Sequence, residues 1–263
     1  MKNREQTFYI LGAILLLAGL YWGFNRTPST QKTLEKSRVL SGQGFDLSAL
    51  STEAKKTLKQ EDLENIETLE SQVQYAGEDS TKVEILKQLS GRWFQLDQPI
   101  LAGIYAKEIA EKMQTAQSWS IAGTTFASAL KNNALEEKEQ VLAREQAVDA
   151  FEHAISLEPS VIEHRVNQAL CYIETPDATQ PMKGVQMLAG LATNYPESPL
   201  PPYHLARLAV QTGQYERAEG RIEQARKLSP TDSRIACLAI EIYNAVNKPE
   251  KAKELAGLCT PMK

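Results

Sequence analysis

The sequence has no excess of basic residues and none of the short motifs that carry catalytic chemistry. Its 29 Lys and Arg residues are outnumbered by 33 Asp and Glu residues, whereas a face that binds nucleic acid needs surplus positive charge. No phosphate-binding glycine loop and no nucleophile elbow is present. His153, His164 and His204 fall in three different predicted helices, so no pair of them has the two-ligand spacing of a zinc site. We therefore expect no enzymatic activity, no cofactor, no metal and no nucleic-acid partner.

Cysteine is also scarce. The chain has three cysteines, Cys171, Cys237 and Cys259, and an odd number cannot all pair within one chain. We expect buried helical thiols that pack as small apolar side chains. The alternative is a disulfide between Cys237 and Cys259 in the last helical hairpin.

Strand-like alternation of polar and apolar residues is nearly absent. The 12 prolines and 14 glycines fall mostly at the ends of predicted helices and in an apolar segment near the N terminus. With 42% hydrophobic residues in 263, the chain can bury a sizeable core. The sequence predicts an all-α fold.

The one long apolar run, from Phe8 to Phe24, carries no charge. As a helix it spans roughly 25 Å, near the lower limit for crossing a bilayer. Tyr9, Tyr21 and Trp22 lie at its ends, where aromatic rings favour the lipid-water interface. We predict an uncleaved transmembrane helix within residues 1–25. A cleaved signal peptide is the alternative, although no small-x-small cleavage site follows.

Positive residues flank both sides of this segment, so the positive-inside rule does not fix its orientation. Because N-terminal anchors commonly leave a short cytoplasmic tail, we expect a single-pass protein of the cell membrane with its soluble body on the periplasmic side. Residues 26–46 are polar and predict a flexible linker, and residues 47–77 predict a helical hairpin. That hairpin packs on the first repeat or, alternatively, dimerises the protein as a short coiled coil.

The rest of the chain, residues 78–263, is organised by a repeat that is clearest from Pro202 to Pro230. Gly213 supplies the turn between two helices, and Pro230 ends the second helix. Small or apolar residues recur where two helices of a hairpin would cross most closely: Leu205, Ala206, Ala209, Ala218, Ile222 and Ala225.

Projecting this register along the chain predicts about five units. The second unit carries Trp119, Gly123 and Phe126, and it holds an insertion of 12 residues around Lys131 to Gln140. We expect the insertion to lengthen one or both helices into a protruding hairpin. The first unit is degenerate, with Ser90, Gly91 and Phe94 as its matching residues, and the last unit carries Ala236, Ala239, Tyr243, Ala252, Ala256 and Cys259.

These residues resemble the tetratricopeptide repeat (TPR), and the whole chain is similar to bacterial membrane-anchored TPR proteins of the cell envelope. The resemblance implies a helical-hairpin solenoid whose first helices line a concave groove that receives a peptide or helix of another protein. By register, the groove residues are Val166, Leu170, Tyr203, Arg207, Val210, Arg234, Glu241 and Asn244. The position of the asparagine in the lysine-asparagine clamp of TPR co-chaperones is held by Thr124, Leu170, Arg207 and Glu241, which argues against binding of a chaperone C terminus.

Two classes of function follow. The first is a membrane-anchored scaffold that binds envelope proteins in the groove and assists secretion, assembly or cytochrome maturation. The second is a structural subunit of an oligomeric membrane complex, formed by self-association through residues 46–75 or the open C-terminal end. A translocon-associated chaperone shares the architecture of the first and differs in its partner.

Overall fold

The computed structural model describes residues 47–132 and 134–260, and within these ranges it contains helices and no strand. The expectation of an all-α fold is therefore confirmed. The twelve helices of these ranges are α1 (Leu47–Lys56), α2 (Gln60–Tyr75), α3 (Asp79–Gln95), α4 (Pro99–Met113), α5 (Ala116–Ala129), α6 (Glu137–Leu157), α7 (Ile162–Glu174), α8 (Lys183–Asn194), α9 (Leu200–Gln211), α10 (Tyr215–Leu228), α11 (Ser233–Ala245) and α12 (Pro249–Glu254).

The described part of the chain divides into two units, one that ends at Lys59 and one that begins at Gln60. In the first unit, α1 ends where the Thr57 hydroxyl donates to the carbonyl oxygen of Ala54 at 2.8 Å. The predicted anchor from Phe8 to Phe24 and the linker at 26–46 lie outside the described residues, and the hairpin at 47–77 stays a prediction. Among the described helices, none is both long and apolar enough to cross a membrane.

The second unit is a stack of helical hairpins. From α2 to α12, each helix packs against the next one along the chain. The first helices of neighbouring hairpins also meet, because α5 contacts α7, α7 contacts α9, and α9 contacts α11. Contacts of this kind, between each hairpin and its neighbours, are the pattern of a helical repeat array.

Close helix packing in the stack depends on glycine at three places. A Cβ on Gly103 would lie 2.5 Å from the ring of Phe126, and one on Gly123 would lie 2.8 Å from the ring of Phe151. A Cβ on Gly184 would lie 2.5 Å from the carbonyl oxygen of Ala169. These helices approach closely because no side chain separates them at the crossing.

The first repeat departs by one residue from the predicted register. Phe94 is 52% exposed, and a Cβ on Gly91 would have no neighbour within 4 Å. The packing positions are instead Leu89, Ser90 and Trp93: Leu89 and Trp93 are fully buried, and the Ser90 hydroxyl donates to the Ala102 carbonyl at 2.8 Å. Both registers offer a small residue followed three positions later by an aromatic one, and burial of the larger indole decides between them.

The insertion in the second repeat lengthens only the second helix. Ala218 lies three residues into α10, whereas the corresponding Ala147 lies ten residues into α6, so that α6 has gained about two turns. The remaining inserted residues lengthen the connection between Ala129 and Glu137. Within the added turns Leu142 and Ala143 are buried, and therefore this part of α6 packs on the protein and does not protrude.

The last repeat has a short second helix and a disulfide. Helix α12 has six residues, and Ala256, which the register places inside it, is exposed beyond its end. Cys237 and Cys259 form a disulfide, which corrects the expectation of three free thiols. The backbone N–H of Thr260 donates to the Ser233 hydroxyl at 3.0 Å, so the segment after α12 is held along α11.

Candidate functional site

The first helices of the second, third and fourth repeats surround a cavity of about 390 Å³, here named the central cavity. Its volume lies at the lower end of the range of ligand pockets, about 300–1,000 Å³. Because α5 packs on α7 and α7 packs on α9, the three helices bring one face each to this place. The lining residues are Thr124, Ala127, Ser128, Leu130, Lys131, Phe151, Asn167, Leu170, Cys171, Glu174, His204 and Arg207.

Short side chains on α5 provide the space. Thr124, Ala127 and Ser128 are spaced by three and four residues, which places them on one face of the helix. The Thr124 hydroxyl donates to the Ser120 carbonyl at 3.0 Å, and the Ser128 hydroxyl donates to the Thr125 carbonyl at 2.6 Å. This wall therefore presents hydroxyl oxygens whose protons are already engaged within the helix.

The floor of the cavity is apolar. Phe151 is fully buried and Cys171 is 1% exposed. Burial raises the pKa of the Cys171 thiol to about 12, and its sulfur donates to the Asn167 carbonyl at 3.3 Å. A thiol with such a pKa is protonated at neutral pH, so Cys171 fills space and is not a nucleophile.

Three charged side chains line the cavity: Lys131, Glu174 and Arg207. A guanidinium nitrogen of Arg207 lies 3.7 Å from a carboxylate oxygen of Glu174, and both side chains are about one-third exposed. In the part of the chain that the structure describes, Lys131 makes no ion pair. The charged lining therefore has two cations and one anion.

His204 lies beside these cations. Burial, together with the positive charges of Arg207, Arg234 and Lys131, lowers the pKa of His204 to about 4. Its Nδ1 is buried and has no hydrogen-bond partner among the described residues. Tyr203 packs edge-on against the ring, with centroids 4.9 Å apart. At neutral pH the imidazole is uncharged, with one N–H and one acceptor nitrogen.

Of the groove residues predicted from the repeat spacing, some line the central cavity and others pack into the core. Leu170 and Arg207 line the central cavity. Val166 is 2% exposed and belongs to the core around α7 and α8, so it is not available to a ligand. Tyr203 and Val210 are half-buried and pack on the core of the last two repeats.

The three predicted groove residues of α11 lie outside the cavity lining. Arg234 is exposed and forms an ion pair with Asp232 at 2.7 Å. Its guanidinium also lies 6.0 Å from the centre of the Tyr203 ring. Glu241 and Asn244 are exposed. These positions are therefore accessible but not enclosed.

Several lining residues were not identified from the sequence. Asn167 and His204 occupy the same position in their repeats, one residue after Val166 and Tyr203. The repeat spacing could therefore have identified both as lining residues. Lys131 follows α5 within the inserted stretch, and Glu174 is the last residue of α7. The insertion after α5 and the long turn between Glu174 and Lys183 both interrupt the repeat spacing. Spacing alone therefore could not assign these two residues to the cavity.

The two irregular stretches of the array contact each other on another surface. Arg144, which follows the added turns of α6, is 7% exposed. It donates to the carbonyl oxygens of Thr175 and Pro176 at 3.3 and 3.2 Å, and its guanidinium lies 3.9 Å from a carboxylate oxygen of Asp177. The lengthened α6 thus holds the long turn between α7 and α8. Within residues 47–132 and 134–260, no group of His, Cys, Asp and Glu side chains is placed to hold a metal ion.

The stacked hairpins, with first helices in contact along the array, define a TPR-like helical repeat protein. No protein-family model matches the sequence. A search of curated proteins likewise finds no match.

Solved structures of similar architecture include MamA from Desulfovibrio magneticus RS-1, with 16% identity over 68% of this chain and 93% of that chain, at a TM-score of 0.41. The thermophilic TPR protein TTC0263 of Thermus thermophilus has 16% identity over 69% of this chain and 89% of that chain, at a TM-score of 0.48. At these values neither carries an argument about function, and the repeat assignment rests on the helix packing described above.

Proposed function

We propose that this protein is a membrane-anchored scaffold that binds a segment of another envelope protein across the first helices of its repeats. The observation that carries the proposal is the central cavity, which opens where α5, α7 and α9 converge and has both apolar and charged lining residues. Interface cores combine these two kinds of surface, an apolar pocket for an anchor and a few polar groups that fix its orientation.

The proposed location has two supports. The uncharged run from Phe8 to Phe24 has the length and aromatic ends of a transmembrane helix. The Cys237–Cys259 disulfide favours an exported repeat domain, because disulfides persist in oxidising compartments and are rare in the cytosol.

A cavity-filling substitution tests the scaffold proposal. Thr124 is an exposed residue of the cavity wall, so Thr124→Trp is expected to occupy the cavity without disturbing the core. Full-length protein carrying this change should co-purify from detergent extracts of the source cells with at least fivefold less of each specific partner. Gln224→Trp, on an exposed position of α10, is the matched control and should retain every partner.

Two outcomes count against the proposal. Equal recovery of all partners by the two variants would show that the cavity is not the binding site. Recovery of further copies of the chain and no other protein would favour the structural subunit of an oligomeric complex instead.

A further inference from the structure

We propose that the central cavity binds the carboxylate of an Asp or Glu side chain in the partner segment, held by Lys131 and Arg207. This inference rests on the proposed scaffold function and names the chemistry of its ligand.

The charge of the cavity is opposite to that of the body around it. Residues 47–263 contain 23 Lys and Arg against 30 Asp and Glu, a net charge of −7. The charged lining of the cavity, by contrast, is Lys131 and Arg207 against Glu174. A local positive region on an acidic protein attracts an acidic segment and repels a basic one.

Both cations have unused capacity to bind an anion. Lys131 has no ion-pair partner in the described part of the chain, and its ammonium carries three donors. Arg207 makes a single contact of 3.7 Å with Glu174, which is longer than a charge-assisted hydrogen bond. Most of the five N–H donors of the Arg207 guanidinium are therefore available to a ligand.

The neutral His204 ring adds a polar group at the same end of the cavity. Its Nδ1 is buried without a partner among the described residues. The cations that lower the pKa of His204 are Arg207, Arg234 and Lys131. Three positive side chains thus act on one point of the cavity.

The remaining lining fits the rest of a peptide. Leu170, Ala127 and Leu130 offer apolar contact for the methylene groups of a Glu side chain or for a small apolar neighbour. A segment of this chain itself is a poor occupant, because residues 1–46 carry six Lys and Arg against three Asp and Glu. The charge pattern therefore points to an acidic segment of a different protein.

The test begins with full-length protein in detergent and a randomised library of 12-residue peptides displayed on phage. We expect enriched peptides to share an Asp or Glu. The best peptide is then made synthetically with a fluorescent label, and its affinity is measured by fluorescence anisotropy. Replacing its acidic residue by Gln or Asn should weaken binding about tenfold. Raising the salt from 0.05 to 0.5 M should weaken binding further, because screening reduces charge attraction at a partly exposed site.

Charge variants of the protein locate the interaction. Lys131→Gln and Arg207→Gln should each weaken binding of the acidic peptide about 5- to 20-fold. Lys227→Gln, at an exposed position of α10, is the matched control and should leave the affinity unchanged. Glu174→Gln removes the one acidic group of the lining and should strengthen binding about threefold, an effect that misfolding does not produce.

Three results would overturn the carboxylate pocket. Peptides enriched without acidic residues would do so while leaving the scaffold function intact. Equal affinities for Lys131→Gln and Lys227→Gln would do so as well. Free glutarate binding as tightly as the peptide would show that the pocket recognises a small dicarboxylate and not a protein segment.

Discussion

The second and the last repeats hold their two helices together by different means. In the second repeat, Gly123 of α5 lies against the fully buried ring of Phe151 on α6, a helix of 21 residues. In the last repeat α12 has only six residues, and a disulfide from Cys237 to Cys259 joins α11 to the segment that follows α12. Side-chain packing thus joins the two helices of the second repeat, and a covalent bond adds to the packing of the last repeat.

The two regions also differ in their proposed roles, because the cavity proposed to bind a partner lies in the central repeats and not in the last one. The central repeats can leave a cavity beside α5 because Phe151 and the core of each hairpin are complete beneath it. In the last repeat, Ala252 is the one buried residue of the short helix α12.

Removing the disulfide should have the largest effect on stability, and its effect should be confined to the end of the array. The bond joins residues 22 apart, and closing a loop of this length contributes about 3 kcal/mol. The double variant Cys237→Ser/Cys259→Ser should lose about this much free energy of unfolding in urea. Amide hydrogen exchange should accelerate in α11 and α12 and stay unchanged in α5 to α7.

Reducing the wild-type protein with dithiothreitol should reproduce this loss, and the double variant should not respond to the reductant. Faster exchange spread evenly over α3 to α12 would contradict the comparison between centre and end.

A methyl group at the α5–α6 crossing should have the next largest effect. Gly123→Ala places a Cβ 2.8 Å from the buried Phe151 ring, and overpacking of this kind typically costs about 1–3 kcal/mol. Gly220→Ala is the matched control, since a Cβ at this site in α10 would have no neighbour within 4 Å. That change should stabilise the protein by about 0.5–1 kcal/mol through helix propensity. Both values are measured by urea denaturation, and equal effects of the two substitutions would refute the close crossing.

Acid should destabilise the centre of the array through His204. Its pKa is about 4 in the folded protein, against an ordinary value of 6.5, so the unfolded chain binds the extra proton first. The contribution of His204 to stability is complete above pH 6.5 and declines as the pH falls towards 4. His204→Gln should reduce the loss of stability between pH 7 and pH 4 by about 2 kcal/mol. An unchanged pH dependence in this variant would contradict the burial of His204.

The turns between helices and the positions of the repeats were predictable from the sequence, because they depend on local backbone chemistry. Gly213 adopts a positive φ of 71° between α9 and α10, as the turn there requires. The position of the next repeat upstream was predicted as well, since Gly184 packs against the carbonyl oxygen of Ala169 in α7. Such features depend on one residue and its immediate neighbours, and a fixed spacing is enough to find them.

Features that depend on tertiary contacts were harder to predict from the sequence. Trp93 and Phe94 are adjacent aromatic residues, and only the packing of α3 on α4 determines which one is buried. The disulfide required the chain after α12 to return Cys259 to α11, which spacing does not predict. For the same reason Lys131, which follows α5 in an insertion, could not be assigned to the central cavity before the fold was known.

The most direct test of partner binding at the central cavity is site-specific photocrosslinking in the source cells. A photoreactive phenylalanine analogue at Leu170 lies in the cavity lining, and one at Gln224 lies on an exposed position of α10. We predict a discrete crosslinked partner from position 170, absent from position 224 and lost when Thr124→Trp is added. Crosslinks that are the same from both positions, or that persist when the cavity is filled, would contradict binding at the central cavity.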